Sequence, residues 1–244
     1  MPQPSETSAK PLHIGLIGGI GVAATVAYYQ RLTAAVAARG RSLELTIVHA
    51  EAKELIRNNL ADAREAQAEV YAPLIDRLAR AGCDCAAITS LGGHFCFAET
   101  AGISALPLVS AVAPLDDFFA AEELGRVGLL GTEVVMRTRL YGQLERTEAA
   151  ALDDRLDELG AAYLDMAMAG RCDAATREAF FAAGSRLVEE MGAEAVVLAG
   201  TDLSLAFDGR EVGYRVIDAL DVHVDLLARL AVGEATLEEA GSAT

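Results

Sequence analysis

Two stretches decide the fold: IGLIGGIGVAATVAYYQ, from Ile14 to Gln30, and VGLLGTEVVMRTRLYGQ, from Val127 to Gln143. Each opens with a short continuous apolar run, reaches glycine and goes on with helical spacing, which reads as a buried parallel strand turning into a helix. At an offset of 113, Gly15, Leu16, Gly18, Thr25, Tyr28 and Gln30 meet identical residues at Gly128, Leu129, Gly131, Thr138, Tyr141 and Gln143. AAITS, ending at Ser90, and VVLAG, ending at Gly200, form a second pair at an offset of 110. Such a repeat implies two α/β lobes related by an approximate twofold, each a mainly parallel sheet flanked by helices, with a cleft between them. Ligands of open α/β sheets bind beyond the carboxyl ends of strands, so the loops around Ser90 and Gly200 are expected to face each other across that cleft.

Outward from these stretches, strands are expected over 12–18, 43–49, 85–90, 107–112, 127–131, 195–199 and 214–218. Helical patterns occupy 22–38, 53–81 with a break near Asn58 and Asn59, 94–102, 114–124, 133–146, 153–169, 173–191 and 219–232. The last strand and helix follow a completed second half, so they are expected to return to the first lobe. The resulting division is a flexible leader 1–11, a discontinuous first lobe 12–115 with 214–235, a second lobe 116–213, and a flexible tail 236–244.

Composition bounds the partners. Of 244 residues, 52% are hydrophobic and 23% charged, which excludes large-scale disorder. Thirty-six acidic against 20 basic residues give a net charge of −16, unfavourable for nucleic acid or an anionic membrane. Small molecules or another copy of the chain are the expected partners. No apolar run approaches the roughly 18 residues that span a bilayer, and MPQPSETSAKP lacks the apolar segment of a signal peptide, so a cytoplasmic protein is expected. The four cysteines, Cys83, Cys85, Cys96 and Cys172, make no disulfide framework, and no Cys or His pair complements Cys83 and Cys85 at metal-finger spacing. They read as buried thiols, and no metal is expected.

The glycine loop admits two readings. Gly19–Ala24 is a G-x-G-x-x-A between a strand and a helix, the context of a dinucleotide fingerprint. However, Glu51 at the end of the second strand lies about 30 residues beyond Gly21 rather than roughly 20, and the matching Gly131-Thr132-Glu133 has lost the pattern. Alternatively, Gly19 and Gly21 open a helix N-terminus that receives a substrate carboxylate.

Taken together, GLIGGIGVAAT from Gly15, YYQRL from Tyr28, VGLLGTEVVMRTRLYGQL from Val127, VVLAGTDLSL from Val196 and VIDALDVHVDLL from Val216 resemble the aspartate/glutamate racemase superfamily, in order and over nearly the whole chain. The resemblance implies a cofactor-free enzyme, commonly dimeric, in which one cysteine per lobe flanks the substrate Cα. Here Ser90 and Gly200 stand in those two places, within Ser90-Leu91-Gly92-Gly93-His94 and Ala199-Gly200-Thr201-Asp202, while His94, Thr201 and Asp202 are kept. A thiol ionises near about 8.5, whereas a serine hydroxyl needs a partner base, for which His94 is the candidate. Gly200 has no side chain for proton transfer and is expected to leave space for a larger substituent or a water.

Leu91 and Gly92 replace the amide and hydroxyl that hold the amino acid's carboxylate in that family. Thr201 remains on the other side, with Thr89 and Thr132 as further hydroxyls at the loops. His223 stands where the family has a histidine near the cleft, and reads equally as a packed helix residue. Asp202 is either an acid behind Thr201 or a helix cap. The leading expectation is a divergent member that binds a small carboxylate-bearing molecule and performs isomerase-like or lyase-like proton chemistry. Ser90 with His94 would handle the proton, and Thr201 with backbone N–H groups would hold the carboxylate or enolate. A catalytically inactive binding protein and a nucleotide-dependent enzyme are the rivals.

Overall fold

A computed structural model describes residues 9–19 and 21–241. The first sheet contains β1 (Ile14–Gly18), β2 (Leu45–His49), β3 (Cys85–Ile88) and β4 (Leu108–Val109) in the order β2-β1-β3-β4, all parallel. The second contains β5 (Arg126–Gly131), β6 (Glu148–Ala150), β7 (Ala195–Ala199) and β8 (Val216–Asp218) in the order β6-β5-β7-β8, also parallel. The helices are α1 (Val22–Ala38), α2 (Ala52–Leu60), α3 (Arg64–Arg80), α4 (Phe97–Gly102), α5 (Ala113–Ala121), α6 (Glu133–Arg137), α7 (Leu156–Ala169), α8 (Ala174–Glu189), α9 (Ser204–Phe207) and α10 (Ala219–Val232). No helix among the described residues is long and apolar enough to cross a membrane.

Pairing register reproduces the internal repeat. Ile14 lies opposite Cys85 in the first sheet and Val127 opposite Ala195 in the second, which preserves the offsets of 113 and 110. Two glycines of the repeat have the same job: a β-carbon on Gly15 would lie 2.8 Å from Leu78 of α3, and one on Gly128 would lie 2.8 Å from Leu187 of α8. Each glycine lets a helix leucine sit directly on the central strand.

Alternate residues of a strand serve opposite faces. Ile14 and Leu16 therefore pack with Tyr28, Leu32 and Leu227 beneath α1 and α10, while Ile17 packs with Leu55, Tyr71 and Ile75 beneath α2 and α3. Along α1 the buried positions are Ala24, Tyr28, Leu32 and Val36, four residues apart, so one stripe of the helix meets the sheet. Removing Leu32 from water contributes about 1.5–3 kcal/mol.

Three expectations are corrected. Residues 133–146 do not form one helix: α6 ends at Arg137, and Arg139, Leu140 and Tyr141 take left-handed backbone with φ of 52°, 56° and 61°. That conformation costs roughly 1–2 kcal/mol per residue. It is offset by hydrogen bonds that anchor Tyr141, whose N–H donates to Thr138 Oγ1 at 3.1 Å and whose hydroxyl donates to the Leu91 carbonyl at 2.8 Å. The strand β6 was not anticipated, because Glu-Ala-Ala carries no strand pattern.

Strand 214–218 does not return to the first lobe, since β8 pairs with β7. The crossing comes later, at α10, whose Leu220, Val224 and Leu227 join the core under α1. The leader 1–11 and the tail 236–244 lie partly outside the described residues. Within the described part of the tail, Ala240 is buried in the first lobe's core and Glu239 accepts from the Thr236 N–H at 2.8 Å.

Candidate functional site

The loops after β3 and β7 do meet. Thr201 Oγ1 donates to the Thr89 carbonyl at 3.2 Å, linking the two sheets through the residues beside Ser90 and Gly200. Asp202 reaches further, with Oδ1 accepting the Ala24 N–H at 3.0 Å. Ala24 is in the first turn of α1, and Gly21 at the N-cap offers no side chain of its own. The second lobe's carboxylate thus caps the first lobe's leading helix, where an anion is favoured.

That contact accounts for Gly21. A β-carbon there would lie 1.9 Å from Asp202 Oδ2. Gly19 is equally constrained, with a β-carbon 2.7 Å from Leu55 Cδ1 and 2.8 Å from the Ala50 carbonyl. The glycine loop is therefore shaped by close packing, and the helix terminus that was expected to take a nucleotide phosphate or substrate carboxylate holds the protein's own acid. Ile20 of that motif lies outside the described residues.

Ser90 is 8% exposed, and among the described residues its hydroxyl has no hydrogen-bond partner. It borders a cavity of about 10 Å³ with Gly19, Leu55, Tyr71 and Thr89, room for one water. Thr89 itself is tied down, its hydroxyl donating to the Ile17 carbonyl and lying 3.1 Å from Thr25 Oγ1.

His94 does not serve Ser90. Its Nδ1 lies 2.8 Å from the Ser90 carbonyl and its Nε2 accepts the Ala111 N–H at 3.0 Å, so the ring is neutral with its hydrogen on Nδ1. Both nitrogens are engaged by backbone, and the ring stacks on Phe97 with centroids 5.3 Å apart. Burial pushes its pKa down to about 4. His94 clamps the loop after β3 to the strand end after β4, and the expected Ser90–His94 proton pair is not formed.

Gly200 leaves no vacancy. A β-carbon on it would lie 2.4 Å from Tyr163 Cε2, so a ring from α7 fills the volume that a side chain at 200 would take. The Tyr163 hydroxyl donates to Asp202 Oδ2 at 3.2 Å. Asp202 is 1% exposed, and desolvation raises its pKa against the opposing Ala24 and Tyr163 hydrogen bonds. Burial first and Asp202 second raise the Tyr163 pKa well above its ordinary value, so the phenol stays protonated. Tyr163 was not singled out in the sequence; its one signal is indirect, in that a glycine at a key position invites a large neighbour.

Leu91 stands where the resemblance places a carboxylate-holding amide. It is fully buried and belongs to the second lobe's core with Val135 and Met136, a plug from one lobe into the other. The adjoining Gly92 carbonyl accepts from Asn59 Nδ2 at 2.8 Å and from the Tyr141 hydroxyl at 3.3 Å. Thr132 caps α6, its hydroxyl accepting the Val135 N–H at 3.4 Å.

His223 is fully buried on the side of α10 that faces α1, with Nδ1 2.7 Å from the Tyr28 hydroxyl. Burial, then His94, pushes its pKa down to about 3. Cys96 is a core thiol that donates to the Gly93 carbonyl at 3.6 Å, and burial raises it to about 11.

Outside the sealed centre, a pocket of about 430 Å³ opens along the seam. Asn59, Leu60 and Arg64 line it from the first lobe, and Thr132, Val134 and Arg137 from the second. Among the described residues no group of three or more His, Cys, Asp or Glu could hold a metal ion.

This architecture has relatives. A candidate Asp/Glu racemase from Yersinia pestis is 19% identical over 89% of this chain and 98% of its own, with a TM-score of 0.75. An aspartate racemase homologue from Pyrococcus horikoshii OT3 is 24% identical, with coverages of 89% and 98% and a TM-score of 0.70. The maleate isomerase Iso from Pseudomonas putida S16 is 16% identical, with coverages of 94% and 99% and a TM-score of 0.52. At these identities the likeness speaks for the fold alone. No curated protein matches the sequence. The sequence profile of the Asp/Glu/Hydantoin racemase family, however, matches residues 17–227, from the end of β1 to α10, and so takes in both facing loops. With that profile running across most of its length and two matched parallel sheets meeting at those loops, the chain belongs to the Asp/Glu/Hydantoin racemase family.

Proposed function

We propose that the chain binds a small carboxylate-bearing molecule between its lobes and moves a proton at the adjacent carbon without a cofactor, with Asp202 as the base. The observation that carries this reading is the buried Asp202–Tyr163 contact at the meeting point of the two loops. A desolvated carboxylate of raised pKa is a stronger base than one in water, and perturbed acids gather at functional sites. When the seam parts, Asp202 takes the proton, the C–H electrons pass into the ligand's carboxylate as an enediolate, and the Ser90 hydroxyl donates a hydrogen bond to that charge. Tyr163 hydrogen-bonds Asp202 throughout and retains its own proton. Asp202 then returns the proton to the same carbon. Return to that carbon from the same side is hydrogen exchange with retained configuration, and a net isomerisation follows only where the ligand offers a conjugated carbon that takes the proton instead; neither outcome is two-base racemisation.

The test is hydrogen–deuterium exchange at the α-carbon, followed by proton NMR in deuterated water over a panel of amino and carboxylic acids. Exchange with retained configuration is expected. Asp202→Asn should reduce it about a hundredfold, the scale of a lost general base. Racemisation at the rate of exchange would overturn the one-base mechanism.

A second reading, a binding protein without turnover, is favoured by the engagement of both His94 nitrogens, the Thr201 hydroxyl and Asp202 with protein groups. Ligand-dependent melting shifts with no exchange anywhere in the panel would select it.

A further inference from the structure

The seam pocket bears on which ligand the cleft admits, given the reading above that the ligand binds between the lobes. Both of its cations are already paired. Arg137 donates to Glu133 Oε1 at 2.6 Å and to Asp157 Oδ1 at 2.9 Å. Arg64 donates to Asp62 Oδ1 at 2.9 Å and faces Glu99 Oε1 at 4.0 Å. Against two arginines the lining has three carboxylates, Asp62, Glu133 and Asp157, so its formal charge is −1 in a chain of −16.

The remaining wall is apolar. Leu60 is 66% exposed, a large side chain left open to solvent at this mouth, and Val134, Ala161 and Leu164 stand with it. The pocket also adjoins the sealed centre: a β-carbon on Gly92 would lie 3.0 Å from Thr132 Cγ2 and 3.6 Å from Ser90 Oγ. A ligand in the pocket is thus one small residue away from the Ser90 hydroxyl.

We infer that this pocket selects a molecule with one carboxylate, no net negative charge and an apolar body, such as an aliphatic amino acid, and rejects dicarboxylates. A dicarboxylic amino acid carries an extra negative charge and needs a cation for its second carboxylate. Drawing Arg137 or Arg64 to that role would leave Glu133 or Asp62 uncompensated, so the pocket discriminates by repulsion as well as by fit. A zwitterion adds no net charge, its ammonium meets the surplus acid, and its aliphatic part covers Leu60 and Leu164. A volume of about 430 Å³ accommodates a ligand of that size.

Titration calorimetry on the full chain with leucine and valine against aspartate and glutamate tests this. Leucine is expected to bind at least about tenfold more tightly than aspartate. Asp157→Lys, at a side chain 87% exposed and therefore safe for folding, should narrow or reverse that ratio by turning the pocket's charge from −1 to +1. Tighter binding of aspartate, an unchanged ratio in the variant, or no binding of either series would overturn the inference. Calorimetry reads binding alone. Leucine that binds without α-exchange leaves the ligand class standing and removes the proton chemistry, whereas aspartate that binds more tightly and exchanges does the reverse.

Discussion

Gly200 and Tyr163 occupy a single volume: the ring sits 2.4 Å from where a β-carbon on the glycine would be. Gly200→Ala should therefore destabilise the chain by about 1–3 kcal/mol through overpacking. In a Tyr163→Ala background the same substitution should cost less, because the obstructing ring is gone and only the Gly131 Cα, 3.0 Å from the new β-carbon, remains tight. Urea unfolding of the two singles and the double gives the coupling directly, and additive effects would contradict the shared volume.

Leu91 joins the lobes by packing alone. Leu91→Ala should cost about 2–5 kcal/mol, the range for a fully buried leucine. Because the plug belongs to the seam, amide exchange over residues 89–94 should accelerate more than exchange in β1 or β5. Mass spectrometry of exchanged peptides reads that difference.

His94 gives the stability a pH dependence whose sign follows from its depressed pKa. Burial holds it at about 4 against an ordinary 6.5, so its contribution is complete above pH 6.5 and is lost as the pH falls towards 4. His223 acts in the same direction, while Asp218, raised by burial to about 6, opposes it by gaining stability over the same fall. His94→Gln keeps one donor and one acceptor and removes the titration. Between pH 7 and 4.5 the wild type should lose on the order of 2 kcal/mol more than this variant, measured from urea midpoints.

Arg31 on α1 holds Asp218 at 2.6 Å, Asp221 at 2.7 Å and Asp208 at 2.9 Å. Its removal leaves the nearly buried Asp218 uncompensated. Arg31→Met should cost about 2–4 kcal/mol at pH 8. A carboxyl with a raised folded pKa stabilises below its unfolded pKa and loses that contribution as the pH rises through the folded value, so much of the loss should be recovered at pH 5. Thermal melts at the two pH values test the recovery.

What the sequence made legible was whatever repeats or alternates. The match of Ile14–Gln30 with Val127–Gln143 disclosed two sheets with equivalent central strands, and α10 could be read to its ends because its apolar positions recur every three or four residues. Illegible features came from contacts between distant residues. Nothing local to Asp202 reports that its partner is the Ala24 N–H, 178 positions away. Nothing around His94 reports that the Ala111 N–H takes its second nitrogen, and Tyr163 covers Gly200 from another helix. Motif spacing brought Ser90, Gly200, Thr201 and Asp202 to one seam, but which of their polar atoms remain available depends on packing across it.

The Asp202 cap on α1 would make the protein a competitor of the carboxylate ligand proposed for it. A carboxylate seeking that helix terminus meets a tethered rival, and rivals on short tethers act at roughly millimolar effective concentration or above. On the proposed reading, a free anion would have to displace that rival, and a successful ligand would draw its affinity from the rest of its body. The seal between the lobes would then be a threshold that a bare charge does not cross.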